Sequence, residues 1–179
     1  MPLSSSSPLL ADLGFELSRH KTLADRALAE LSDEEFFARP APVVNSPALI
    51  VKHLAGNLTS RWTDFLNTDG DKPTRDRDAE FVISPTDSRA SLMAAWQRGW
   101  QALLDTVANL TEDDLDREIT IRGEPHTVRQ ALLRGLTHAA YHVGQILYVA
   151  RLLKPAATWQ TIAPGQSRSH AADYRAGSK

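Results

Sequence analysis

Four long stretches of this chain place apolar residues three and four apart, a periodicity that points to packed helices rather than sheet. The first predicted helix runs from about Pro8 to Leu31, with Leu13, Leu17, Leu23, Ala24, Ala27, Leu28 and Leu31 on its apolar side. Ser32-Asp33-Glu34-Glu35 then has the form of a capping box opening a short turn through Phe36 and Phe37. Ser46 as N-cap and Pro47 at the first helical position start the second helix. It is expected to reach about Asn67 and stop at the turn-forming Thr68-Asp69-Gly70-Asp71. The third is expected from about Thr86 to Leu110 and the fourth from about Thr127 to Leu153. A charged connection, residues 69–85, separates the second from the third, and a loop of that length is often functional or disordered. Before the fourth helix, alternating Ile119 and Ile121 followed by Gly123 predict a small hairpin or extended excursion. Four helices without a convincing sheet, and without an internal repeat, predict an all-α four-helix bundle in one domain with its core at about 8–160. The serine-rich N-terminal segment and the tail from Ser167 onward are expected to be mobile.

Composition narrows the function classes. At 179 residues, 42% apolar and 23% charged, the chain suits one globular domain. Its formal charge is −2 and no basic stripe is present, so nucleic acid is not an expected partner. No apolar run approaches the length of a membrane span, and no secretory leader is evident, so the expected location is the cytoplasm. There are no cysteines, which excludes a disulfide framework, a thiolate metal cage and a cysteine nucleophile together.

The informative residues lie at the edges of apolar faces. In the fourth helix, "LTHAAYHVGQILYVA" puts His138, His142 and Gln145 in line beside a stripe of Leu136, Ala139, Val143, Ile146 and Ala150. Ala131 and Gly135 are expected to leave space on the preceding turns. In the second helix, His53, Asn57, Ser60 and Asp64 form a polar line beside Val51, Leu54, Leu58, Trp62 and Phe65. Histidines at i and i+4 share one face and can converge on one ion at about 2.0–2.1 Å, with His53 as a third vertex from another helix. Three imidazoles suit a divalent metal, zinc or nickel first, with iron, cobalt, manganese and copper also compatible. The competing reading is a set of hydrogen-bonded core histidines with no ion. His20, His126 and His170 are not expected to be ligands: the first is read as solvated, the second as part of a helix start, the third as tail. Asp64 is read as a solvated carboxylate and the four tryptophans as packing residues.

Taken together, "SPALIVKHLAGNLTSRWTDFL", "TDGDKPTRDRDAEF" and "LTHAAYHVGQILYVARLL" resemble the DinB-like/YfiT-like superfamily of metal-dependent proteins, in an uncharacterised bacterial branch. The resemblance covers most of the chain and implies an up-and-down four-helix bundle, often dimeric, with a divalent metal on His53, His138 and His142. Relatives in that superfamily include thiol transferases that use bacillithiol or mycothiol, so a low-molecular-weight thiol is an implied cosubstrate. The resulting expectation is an enzyme acting on a small molecule by thiol S-transfer or hydrolysis. Its rival is a non-catalytic dimeric metal-binding bundle with a structural or ligand-binding role. Asn57 and Gln145 are assigned to the pocket wall or to hydrogen bonds that orient the ligands. Arg75 and Arg77 are candidates for anion binding, although alternation with Asp76 and Asp78 also fits a loop of internal salt bridges. No Glu-x-x-His di-iron motif, Walker loop, GxGxxG fingerprint or GxSxG elbow is present.

Overall fold

The structure, a computed structural model, describes residues 7–161 and 163–168. The expectations for the start of the serine-rich segment, for His170 and for the tail beyond 168 lie outside the described residues. The chain is mainly helical. Its elements are α1 (Pro8–Ala29), α2 (Asp33–Phe37), α3 (Pro47–Trp62), α4 (Arg89–Asn109), β1 (Glu118–Ile121), β2 (Glu124–Thr127) and α5 (Val128–Leu153). The short turn expected at Phe36 and Phe37 is the helix α2, and the excursion before the last helix is a two-stranded sheet.

Helices α2 to α5 begin where side chains satisfy the free N–H groups of their first turns. Ser46 Oγ accepts from the Leu49 N–H at 3.2 Å to open α3, and the Ser32/Glu35 box opens α2 as expected. A Ser88/Ser91 box starts α4 at Arg89 rather than near Thr86, and a Thr127/Gln130 box starts α5. The end of α3 differs most from expectation, at Trp62 rather than Asn67. Asp64 adopts a left-handed backbone (φ 48°), its carboxylate accepts from Asn67 Nδ2 at 2.8 Å, and its carbonyl accepts from Thr68 Oγ1 at 3.0 Å. Those local bonds replace helical ones, and Phe65 turns back onto Trp62, ring centroids 4.7 Å apart.

Among the long helices, α1 packs against α4 and α5, and α3 packs against the same two. Their apolar faces form a continuous core in which Trp96 and Trp100 are fully buried. Each large apolar side chain removed from water contributes about 1.5–3 kcal/mol. The Trp96 indole N–H donates to Asp25 Oδ1 at 2.7 Å, joining α4 to α1. Trp62 also packs in the core, whereas Trp159 is 46% exposed and lies under the Arg151 guanidinium. Gly99 lets α3 and α4 approach closely: a Cβ there would sit 2.9 Å from the Ala55 carbonyl oxygen.

The hairpin pairs Ile119 with His126 and Ile121 with Glu124. Arg122 and Gly123 both have positive φ, as a tight two-residue turn requires. Ile119 and Ile121 point into the core, while the Asp69 carboxylate accepts from the backbone N–H groups of Arg122 and Gly123 at 2.9 and 2.8 Å. The 69–85 connection is therefore tied to the hairpin at one end. At the other, Lys52 Nζ donates to Asp87 Oδ2 at 2.7 Å and to the Val82 carbonyl at 2.8 Å. No helix among the described residues is long and apolar enough to cross a membrane.

Two glycines in helices should respond oppositely to alanine. At Gly144 nothing lies within 4 Å of an added Cβ, so Gly144→Ala gains about 0.5–1 kcal/mol from helix propensity. Gly99→Ala must force α3 from α4 and loses about 1–3 kcal/mol. Urea unfolding midpoints of the two variants check the sign of each.

Candidate metal centre

Helices α3 and α5 bring three imidazoles together from residues far apart in the chain. His53 lies on α3, and His138 and His142 lie one turn apart on α5. Ring centroids are separated by 5.5 Å for His53–His138, 4.8 Å for His53–His142 and 4.6 Å for His138–His142. One nitrogen from each ring lies within 4.8 Å of the others, and the group could hold a metal ion. Among the described residues no other set of three histidine or acidic side chains converges in this way.

Burial decides the protonation of the α5 pair. His138 is pushed from an ordinary 6.5 to about 3, first by burial and then by His142, His53, Arg61 and Arg75. His142 is pushed to about 4 by burial and by His53, against the opposing hydrogen bond to Gln145. Both rings are neutral at pH 7 and keep a lone pair for a cation. Only a neutral imidazole can act as a ligand, so the donor set fits a divalent metal.

Hydrogen bonds orient two of the rings. His142 Nδ1 donates to Gln145 Oε1 at 2.8 Å, and His53 Nδ1 donates to Glu80 Oε2 at 2.8 Å. With Nδ1 engaged, Nε2 of each ring is the free donor atom. Glu80 is itself clamped by Arg75, whose Nε and Nη2 donate to the two carboxylate oxygens at 2.7 and 2.9 Å. Burial alone would raise the Glu80 carboxyl, but the bonds from Arg75 and His53 hold it below the usual carboxylate range. Phe81 stacks on His53 at 4.6 Å, and Tyr141 packs against both α5 histidines at 5.0 and 4.4 Å.

A pocket of about 450 Å³ opens beside two of the three rings, with His53, Asn57, Gly135 and His138 in its wall; His142 does not line it. Asn57 is half-buried one turn beyond His53, as its position on the helix predicts. Gly135 lines the pocket, but the space on its turn is filled: a Cβ there would lie 2.5 Å from Trp62 Cζ2. Arg75 lines the pocket with its guanidinium committed to Glu80 and Asp71, so the salt bridges of this loop use those two acids rather than Asp76 and Asp78. Arg77 lines the pocket and has no ion pair among the described residues. Asp64 is exposed and stands apart from the pocket. His20 is half-buried rather than fully solvated, bonded through Nδ1 to the Glu16 carbonyl. His126 lies on β2, its Nε2 3.3 Å from Arg134 Nη1.

Sequence reasoning missed Glu80 and Arg61. The signal for Glu80 was Gly56 inside α3, since a helical glycine often marks a close approach. A Cβ at Gly56 would overlap the Glu80 carboxylate. Arg61 is only 6% exposed and also lines the pocket.

Residues 4–167 match the family described as "Protein of unknown function (DUF1572)". No curated protein matches the chain. A solved structure described as "Crystal structure of the conserved protein of locus from Enterococcus faecalis" is similar, with a TM-score of 0.63 at 19% identity. The similarity covers 83% of this chain and 98% of that one, and at such identity it bears on the fold alone.

The depressed histidines set a pH dependence for the metal-free protein. Their folded values lie below the 6.5 of the free side chain, so the unfolded chain takes up protons first as pH falls. The stability they contribute is complete above about 6.5 and is lost as pH falls toward their folded values. Urea midpoints should drop between about pH 7.5 and about pH 5.5, and the drop should shrink in His138→Gln/His142→Gln. An unchanged drop in that variant would assign it to other groups.

Proposed function

The chain belongs to the DUF1572 family, whose description carries no activity, and from the site itself we propose a metal-dependent enzyme that acts on a small molecule by thiol S-transfer or hydrolysis. In this reading the helices form an up-and-down bundle of the DinB-like/YfiT-like type, and His53, His138 and His142 hold a divalent ion. The observation that carries it is three converging imidazoles, two of which, His53 and His138, stand in the wall of an open pocket of about 450 Å³. A structural zinc site normally closes with four protein ligands, whereas a catalytic one keeps a replaceable position. Three converging imidazoles, two of them facing a cleft, have the second form.

A divalent ion in this setting supplies Lewis acidity, favouring the deprotonated form of a coordinated thiol or water. The chain's own residues do the positioning. Glu80 and Gln145 fix the orientation of His53 and His142 by accepting from Nδ1. Asn57, beside His53 in the pocket wall, is placed to orient a bound molecule. With no cysteine in the chain, any thiol nucleophile enters as a cosubstrate.

Protein purified without an affinity-tag metal should carry close to one divalent ion per chain by elemental analysis. His53→Ala and His138→Ala should each lose it. Glu80→Gln should keep the ligands but weaken metal affinity by about 10–100-fold, because the bond that orients His53 is altered. Thiol conjugation of an electrophile and ester hydrolysis, assayed in parallel, distinguish the two reactions. Either activity should vanish with chelation, return on metal addition and fall at least about tenfold in His138→Ala. Metal-independent turnover would end the assignment.

A further inference from the structure

The pocket beside the three histidines is strongly cationic, and one of its cations is buried without a partner. Arginines at 61, 75, 77, 122 and 134 line it, contributed by α3, the 69–85 connection, the hairpin tip and α5, and no aspartate or glutamate does. Two of them are neutralised: Arg75 by Glu80 and Asp71, and Arg122 through its Nε at 3.0 Å from Asp71 Oδ2. Arg61 differs. It is 6% exposed, forms no salt bridge or hydrogen bond among the described residues, and its Nε is buried without any partner. Its pKa is lowered to about 10, by burial first and then by Arg134, Arg75 and Arg122, with the Asp71 charge opposing. An unpaired guanidinium held in low dielectric among other cations is costly unless an anion completes it.

We propose that Arg61 and Arg134 form an oxyanion-binding subsite of this pocket, so that the small molecule presented to the three histidines carries a carboxylate or phosphate group. Guanidinium forks match both groups through paired N–H donors. Arg134 projects from α5 one turn before His138 and is exposed, with His126 as its hydrogen-bond contact. Arg61 follows Asn57 by one turn on α3. An oxyanion seated between the two helices therefore lies beside the imidazoles, which fixes the end of the molecule opposite its reacting group. Arg77 stands at the same wall with its charge unpaired and adds to the attraction.

The subsite specifies a substrate class for the proposed enzyme and rests on that reading only for the chemistry, since oxyanion binding does not require the metal. Full-length protein, metal-loaded and chelator-treated, is titrated calorimetrically with inorganic phosphate, succinate and the neutral succinamide. Wild type should bind phosphate or succinate in both forms, the tighter arm identifying phosphate or carboxylate as the group, and should bind succinamide far more weakly. Arg61→Gln should weaken the anion about tenfold or more, as loss of a charge-assisted bond does. Because Arg61 is buried, Arg134→Gln serves as the variant on an exposed position and should weaken binding severalfold while keeping its metal. His138→Ala should lose metal yet still bind the anion, which separates failure of the metal reading from failure of this one. Equal binding of succinamide, no binding of either anion, or wild-type affinity in folded Arg134→Gln would overturn the proposal. So would anion binding that disappears on chelation.

Discussion

The buried carboxylate of Glu80 is the contact on which the arrangement of the site depends. It lies over α3 at Gly56, accepts from His53 on one side and takes both donors of the Arg75 fork on the other. Such a buried pair gains little net stability, because desolvating two charges cancels most of their attraction. Its value lies in position. The carboxylate fixes which nitrogen of His53 carries the proton, and it holds the 69–85 connection against the helix. From there Arg75 reaches Asp71, Asp71 reaches Arg122, and Asp69 caps the hairpin turn. One charged contact thereby links an imidazole in the pocket to a hairpin formed much later in the chain.

The electrostatics of the pocket contain a tension that the same contact relieves. Burial is the main cause that holds His138 and His142 neutral, but Arg61 and Arg75 contribute at His138, and those cations would also repel a divalent ion. Glu80, ionised behind His53, is the negative charge bonded directly to a histidine of the group, and it acts through that ring. An anionic substrate would further compensate the arginines at the mouth of the pocket. A bound metal and a bound oxyanion would then favour each other through opposite charge, at an effective dielectric well below that of water. The two proposals are thus electrostatically coherent, although each stands on separate residues.

Much of the helical framework was legible because its determinants are local. Ser46-Pro47, Ser32 with Glu35 and the turn at Gly123 are short patterns whose hydrogen bonds involve neighbours in sequence. The i,i+4 spacing of His138 and His142 likewise requires only a helix. The proximity of His53 came from matching two polar lines on two helices, and that inference extended no farther than Asn57, since Asp64 leaves the line where α3 stops. Glu80 was not legible from its own surroundings. An acid in a loop with Asp76 and Asp78 nearby has nothing local to mark it, and only the cavity over Gly56 explains why this one is buried. Arg61 escaped for a related reason: a cation next to Trp62 on a helix ordinarily extends its stem and reaches water. Its enclosure depends on Gly70, Ile121 and the hairpin, all brought in by tertiary contacts.

The division of labour between rigid and looped elements bears on what such a site can evolve to do. The three imidazoles sit on α3 and α5, packed elements whose core positions tolerate little change, and their convergence follows from how those helices meet. The residues that tune them come largely from connections: Glu80, Arg75 and Arg77 from the 69–85 segment and Arg122 from the hairpin tip. Substitution there can alter ligand basicity, pocket charge and access while the triad stays assembled. Arg61 is the exception, a specificity candidate carried by the framework itself and enclosed beneath the looped residues. A charge placed at that depth cannot be exchanged for another without repacking Gly70 and Ile121 around it. Recognition of an oxyanion would therefore be the most persistent feature of the pocket, and the identity of the reacting group the most variable.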